Sequence, residues 1–150
     1  MSETMSVQEY REKMSSGKTK RQDHEHQEQV YLFNWVAIME RQYPELSLLF
    51  AIPNGGQRHV LVAMKMKAEG VKSGVPDLFL PVARGNYHGL FIEMKAGKNK
   101  TSEKQNVWIE KLTEQGYMVE VCYGSDEAQD LLVSYLEQPV YPKMQFVGKK

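Results

Sequence analysis

Apolar positions along the chain change period several times, and each change marks an element. From about Asp23 to Gln42 the period is helical: Val30, Phe33, Val36 and Ala37 make one stripe, widened by Trp35 and Met39. Pro44 ends that helix. The apolar run from Leu46 to Ile52 reads as a short buried strand, and Pro53-Asn54-Gly55-Gly56 follows as a loop. A second helix is predicted over about Arg58 to Glu69, stopped by Gly70. Two strands come next, Asp77 to Val82 and Gly89 to Lys95, joined as a hairpin by the turn-forming Arg84-Gly85-Asn86. Ser102 opens a third helix reaching about Gln115, and Tyr117 to Tyr123 is a strand rich in Val and Tyr. The last helix carries Ala128, Leu131, Leu132, Tyr135 and Leu136 at i, i+3, i+4, i+7 and i+8. The order αβαββαβα predicts an α/β fold, one mixed central sheet with helices on its faces.

A chain of 150 residues is long enough to bury one core without staples. The polar residues 1–22 are expected to form a flexible arm, residues 23–138 the folded domain, and residues 139–150 a loose tail. Cys122 is the single cysteine, which excludes an internal disulfide and fits a reducing cytoplasm. No apolar run is long enough to span a membrane, and the first residues lack an apolar signal core, so secretion is not expected. Lys+Arg and Asp+Glu both number 19, a formal net charge of zero. Their distribution is uneven. Arg58, Lys65, Lys67 and Lys72 fall in one segment and Lys95, Lys98, Lys100 and Lys104 in another, while Glu25 to Glu45 is acidic. Such segregation can make a basic face on a neutral molecule, though solvated helix surfaces would produce the same pattern.

Three charged residues sit where a packing account struggles. Asp77 opens a strand after Pro76, and Glu93 and Lys95 lie inside the next strand amid Leu90, Phe91, Ile92 and Met94. Strand alternation gives Glu93 and Lys95 one face and Ile92 and Met94 the other. A hairpin would bring Asp77 and Glu93 to the same end of the sheet, where their repulsion is relieved by a hard divalent cation such as Mg²⁺. Lys95 beside it could orient an attacking water or neutralise developing charge. An exposed edge strand whose Glu93 and Lys95 merely face water fits the same periodicity.

The larger string narrows the choice. Gly74-Val75-Pro76-Asp77 followed by Glu93-Met94-Lys95 resembles the PD…ExK pattern of the restriction-endonuclease-like superfamily. More narrowly, the chain resembles the VRR-NUC family, with a basic loop after the second strand and Ser102-Glu103-Lys104-Gln105 opening a helix. Ile52-Pro53-Asn54-Gly55-Gly56 and Ala68-Glu69-Gly70-Val71 look like segments of its small phage-encoded members, and the likeness runs from about Glu25 to Leu136. The resemblance implies a restriction-endonuclease-like fold, with Asp77 and Glu93 binding Mg²⁺ or Mn²⁺, the Met94 carbonyl as a further ligand, and Lys95 assisting the water. It places Gln105 beside the site, although Ser102 to Gln105 is also a capping box. It also puts a metal-binding or catalytic acid on the first helix, for which Glu25 and Glu28 compete, with Glu25 favoured by its spacing to Gln29 and Trp35.

Asn54, Gly55 and Gly56 could bring backbone close to a scissile strand, or could simply form a flexible turn. Arg58, Lys65, Lys98 and Lys100 are the candidate phosphate contacts. Trp35 and Trp108 are expected in the core, and Cys122 has no neighbour in sequence that suggests a thiolate. The expected function is a metal-dependent endonuclease that hydrolyses DNA, structure-specific on branched DNA in the manner of a junction resolvase, and working as a homodimer in the cytoplasm (the host's, for a phage-encoded chain). A sequence-specific restriction-like nuclease and a non-catalytic DNA-binding module of the same fold are the alternatives.

Overall fold

The computed structural model describes residues 17–54 and 59–140. Helix α1 (Gly17–Met39) is followed by a 3-10 helix (Pro44–Leu48), β1 (Phe50–Ala51), α2 (Val60–Ala68), β2 (Leu78–Leu80), β3 (Leu90–Lys95), α3 (Glu103–Glu114), β4 (Met118–Tyr123) and α4 (Ser125–Leu136). The four strands form one sheet in the order β1-β2-β3-β4. The first three run antiparallel, and β4 pairs parallel with β3 after the crossover through α3. The mixed sheet and the helix-strand order follow the expectation from periodicity.

β3 is an inner strand with all six residues buried, which removes the exposed-edge reading of Glu93 and Lys95. Its alternation divides the molecule. Leu90, Ile92 and Met94 join Leu78, Leu80 and Cys122 in the main core, under Leu32 and Val36 of α1 and Ala128, Leu132, Tyr135 and Leu136 of α4. Phe91 belongs to the other face, stacked on Phe79 across the β2–β3 pair at 4.2 Å between ring centroids, with Tyr117 edge-on to both. Glu93 and Lys95 continue that second face toward the start of α3. The hairpin end is locked by buried Arg84, which donates to the Leu136 carbonyl and pairs with Glu45 at 2.9 Å.

Three expectations change. The run from Leu46 to Ile52 is a 3-10 turn and a two-residue strand: Pro44 starts the turn, Ser47 Oγ donates to the Pro44 carbonyl, and Leu46 and Leu49, three apart, both turn inward. Helix α1 starts at Gly17, ahead of Asp23, and its buried stripe is Leu32 and Val36 flanked by Phe33, Trp35 and Met39. Val30 and Ala37 face outward. Trp108 lies outside the main core and lines a surface groove between α2 and α3. Among the described residues, no helix is long and apolar enough to cross a membrane.

Candidate active site

The second sheet face ends in an open cleft of about 700 Å³ between α1, the loop before β2, the end of β3 and the start of α3. Asp77, Glu93, Met94, Lys95 and Gln105 all line it. The loop before β2 is forced close to α3. Gly74 has φ +87°, and a Cβ there would sit 2.9 Å from the backbone of Lys104. Pro76, two residues on, is buried, and Asp77 follows with its backbone carbonyl accepting from Ile52 N–H.

Asp77 is held at both oxygens. Oδ1 accepts from Asn54 Nδ2 at 2.8 Å and Oδ2 from Met94 N–H at 2.8 Å. These bonds favour the carboxylate, yet burial is stronger and raises its pKa. Glu93 Oε1 accepts from Gln105 Nε2 at 2.6 Å and lies 3.3 Å from Lys95 Nζ. Its Oε2 is buried with no hydrogen-bond partner. Burial first, then the charge of Asp77, lifts the Glu93 carboxyl to about 8. A buried acceptor without a donor costs free energy, and a cation beside Glu93 would remove that cost together with the repulsion from Asp77. Among the described residues no three His, Cys, Asp or Glu side chains gather as a ligand set. The arrangement therefore suits a hard ion that uses one or two carboxylates and completes its shell with water and substrate oxygens. A closed structural site needs a fuller protein shell.

A VRR-NUC domain model matches residues 14–126. The chain belongs to the VRR-NUC family. Its structure is similar to that of a VRR-NUC domain protein, with a TM-score of 0.66 and 31% identity over 79% of this chain and 93% of that one. Fanconi-associated nuclease 1 from Danio rerio is 28% identical over 92 residues, 61% of this chain and 9% of that protein. The fold is thus restriction-endonuclease-like and the domain is of the VRR-NUC nuclease type.

Within this VRR-NUC domain the competing helix acids separate. Glu25 lines the cleft, and its charge acts on both Asp77 and Glu93. Asn99 Nδ2 donates to Glu25 Oε1 at 3.0 Å, and the acid does not complete a three-side-chain metal set. Glu28 does not line this cleft; it lines a neighbouring cavity, and its Oε2 accepts from Ser125 N–H at 2.7 Å at the start of α4. Gln105 does both things expected of it: it closes the capping box with Ser102 and reaches Glu93 with its amide nitrogen.

Asn54 enters the site through its side chain. Gly55, Gly56 and Arg58 lie outside the described residues. Lys65 and Lys100 are exposed and do not line the cleft, and Lys98 lines a neighbouring cavity with His24 and Tyr123. Sequence reasoning missed Asn99, Ser73 and the cleft positions of His26 and Lys104. Lys104 had a usable signal, because it directly precedes Gln105 on the helix start. Asn99 had none, since its contact bridges 74 residues of sequence. Cys122 is buried and its thiol is pushed up to about 12, which excludes a thiolate nucleophile at neutral pH.

Proposed function

We propose that this domain is a DNA endonuclease that requires Mg²⁺ or Mn²⁺ and hydrolyses phosphodiester bonds in branched DNA. The observation that carries the reading is the buried, unpartnered Glu93 Oε2 beside Asp77 in an open cleft. Asp77, Glu93 and the carbonyl of Met94 are the groups that would hold the cation, which when bound supplies Lewis-acid polarisation of phosphate and water.

The chain's own residues do the rest. Asn54 and the Met94 N–H fix the Asp77 carboxylate from two sides, so its orientation does not depend on the ligand. Gln105 holds Glu93 through Oε1 and leaves Oε2 without a hydrogen-bond donor. The Lys95 ammonium, 3.3 Å from Glu93, can orient the attacking water and offset charge building on the phosphate oxygens. Glu25, tethered by Asn99, faces the same cleft and can accept a hydrogen bond from a water there. The reading includes a two-fold homodimer that acts on two strands. Its support is α2, which buries none of its residues and leaves Val60, Leu61 and Met64 exposed as an apolar face.

The test is a panel of end-labelled substrates: duplex, single strand, flap, four-way junction and RNA, with chelator, Mg²⁺, Mn²⁺ or Ca²⁺. Cleavage is expected only with Mg²⁺ or Mn²⁺, and best on branched DNA, with Ca²⁺ supporting binding alone. Full cleavage in chelator would sink the proposal.

A further inference from the structure

We propose that the groove between α2 and α3 binds one unpaired nucleotide of the substrate strand beside the scissile phosphate, an inference that rests on the nuclease reading. The groove encloses about 580 Å³, within the range of small-molecule sites. Its apolar lining is Met66, Val71 and Trp108. Its polar lining includes Lys67, Lys72 and Lys104, with no Asp or Glu. On a chain with equal numbers of acidic and basic residues, three lysines without an acid are a local concentration of positive charge. None of the three is in an ion pair among the described residues.

The groove continues the catalytic cleft. Ser73 and Lys104 line both spaces, and Lys104 Nζ reaches Ser73 Oγ at 3.5 Å across the shared rim. The close approach at Gly74 fixes that rim. A strand whose scissile phosphate lies at Asp77 and Glu93 therefore has a basic exit leading over Lys104 to Trp108. Trp108 is half-buried, lies outside the main core and lines the groove. Bases within a duplex are covered on both faces by their neighbours. Only an unpaired base can offer its ring to Trp108, while the lysines take the flanking phosphates.

The test is titration of tryptophan fluorescence in chelator with a short oligothymidylate and with blunt duplex of equal length, so binding is read without cleavage. Trp35→Phe leaves Trp108 as the reporter. The expected result is saturable quenching by the oligothymidylate, roughly tenfold tighter than by duplex. Lys67→Ala/Lys72→Ala should weaken it several-fold and reduce the slope of log affinity on log salt by about 1.4, two single-strand phosphate contacts. On a flap substrate the same double variant should raise KM and leave kcat unchanged. Absence of quenching, equal quenching by duplex, or an unchanged salt slope would overturn the proposal. So would a Trp108 signal that changes with protein concentration alone, which would give the groove to a second copy. Quenching without cleavage of any substrate would refute the nuclease reading and leave the nucleotide groove in place.

Discussion

Glu93 concentrates the tension of the site in one side chain. Burial and Asp77 raise its carboxyl from 4.5 to about 8, so between those values the folded protein keeps a proton that the unfolded chain has released. The stability this contributes is fully present below about pH 4.5 and is lost as pH rises through about 8. Thermal melts of the metal-free protein should therefore fall across that window, Mg²⁺ should restore the alkaline end, and Glu93→Gln should flatten the slope. A Glu93→Gln variant with the wild-type slope would remove Glu93 as the cause. Asp77 is a different case, because Asp77→Asn can keep only one of the two hydrogen bonds that the carboxylate accepts. Asp77→Asn, Glu93→Gln and Lys95→Ala should each remain folded and lose cleavage by about two orders of magnitude or more. Near wild-type turnover in any one would show that its role has been misassigned.

Helix α1 carries two acids three residues apart with different partners, Asn99 for Glu25 and Ser125 for Glu28. Glu28→Gln should lower stability by about 1 kcal/mol, because the cap on α4 weakens, with little effect on cleavage. Glu25→Gln should do the reverse. The pair of melting temperatures and rates checks this directly, and exchanged outcomes would reverse the assignment. A second element-scale constraint is the contact of Gly74 with the start of α3. Gly74→Ala meets both a left-handed backbone and a 2.9 Å clash, and displacing α3 moves Gln105 away from Glu93. It should destabilise the protein by more than about 1 kcal/mol and slow cleavage. Ser102→Ala should cost about 1 kcal/mol but keep most activity, since the reach of Gln105 to Glu93 survives. Equal activity loss in the two variants would mean that frayed helix ends, rather than displacement, account for both.

At the scale of the molecule, zero net charge means no long-range attraction to plain duplex. Affinity must come from local contacts and should be weak and steeply salt-dependent. A symmetric dimer doubles the footprint and favours substrates that present two suitably spaced backbones, as a four-way junction does. Branched DNA should be cut at paired positions and in preference to linear duplex at physiological salt. Sedimentation showing only monomer at micromolar concentration would exclude the dimer, and equal cleavage of both substrates across a salt series would exclude the preference while sparing the nuclease assignment.

The α/β order, the hairpin, and the meeting of Asp77, Glu93 and Lys95 at one end of the sheet were legible in the chain, because strand periodicity and turn residues act over a few neighbours. The same locality exposed the capping box that carries Gln105. Leu46 to Ile52 misled because a short apolar run suits a strand and a 3-10 turn equally, and the packing of Leu46 and Leu49 decided between them. Only the tertiary structure separated Glu25 from Glu28, since both suit one helix and the choice depends on where Asn99 and Ser125 arrive. It also brought Asn54 to Asp77 and turned Trp108 from an expected core residue into the wall of a groove. The physical reason is range. Hydrogen bonding and periodicity along one element are written in adjacent residues, whereas the desolvation of Glu93 and the meeting of distant side chains exist only once the sheet has closed.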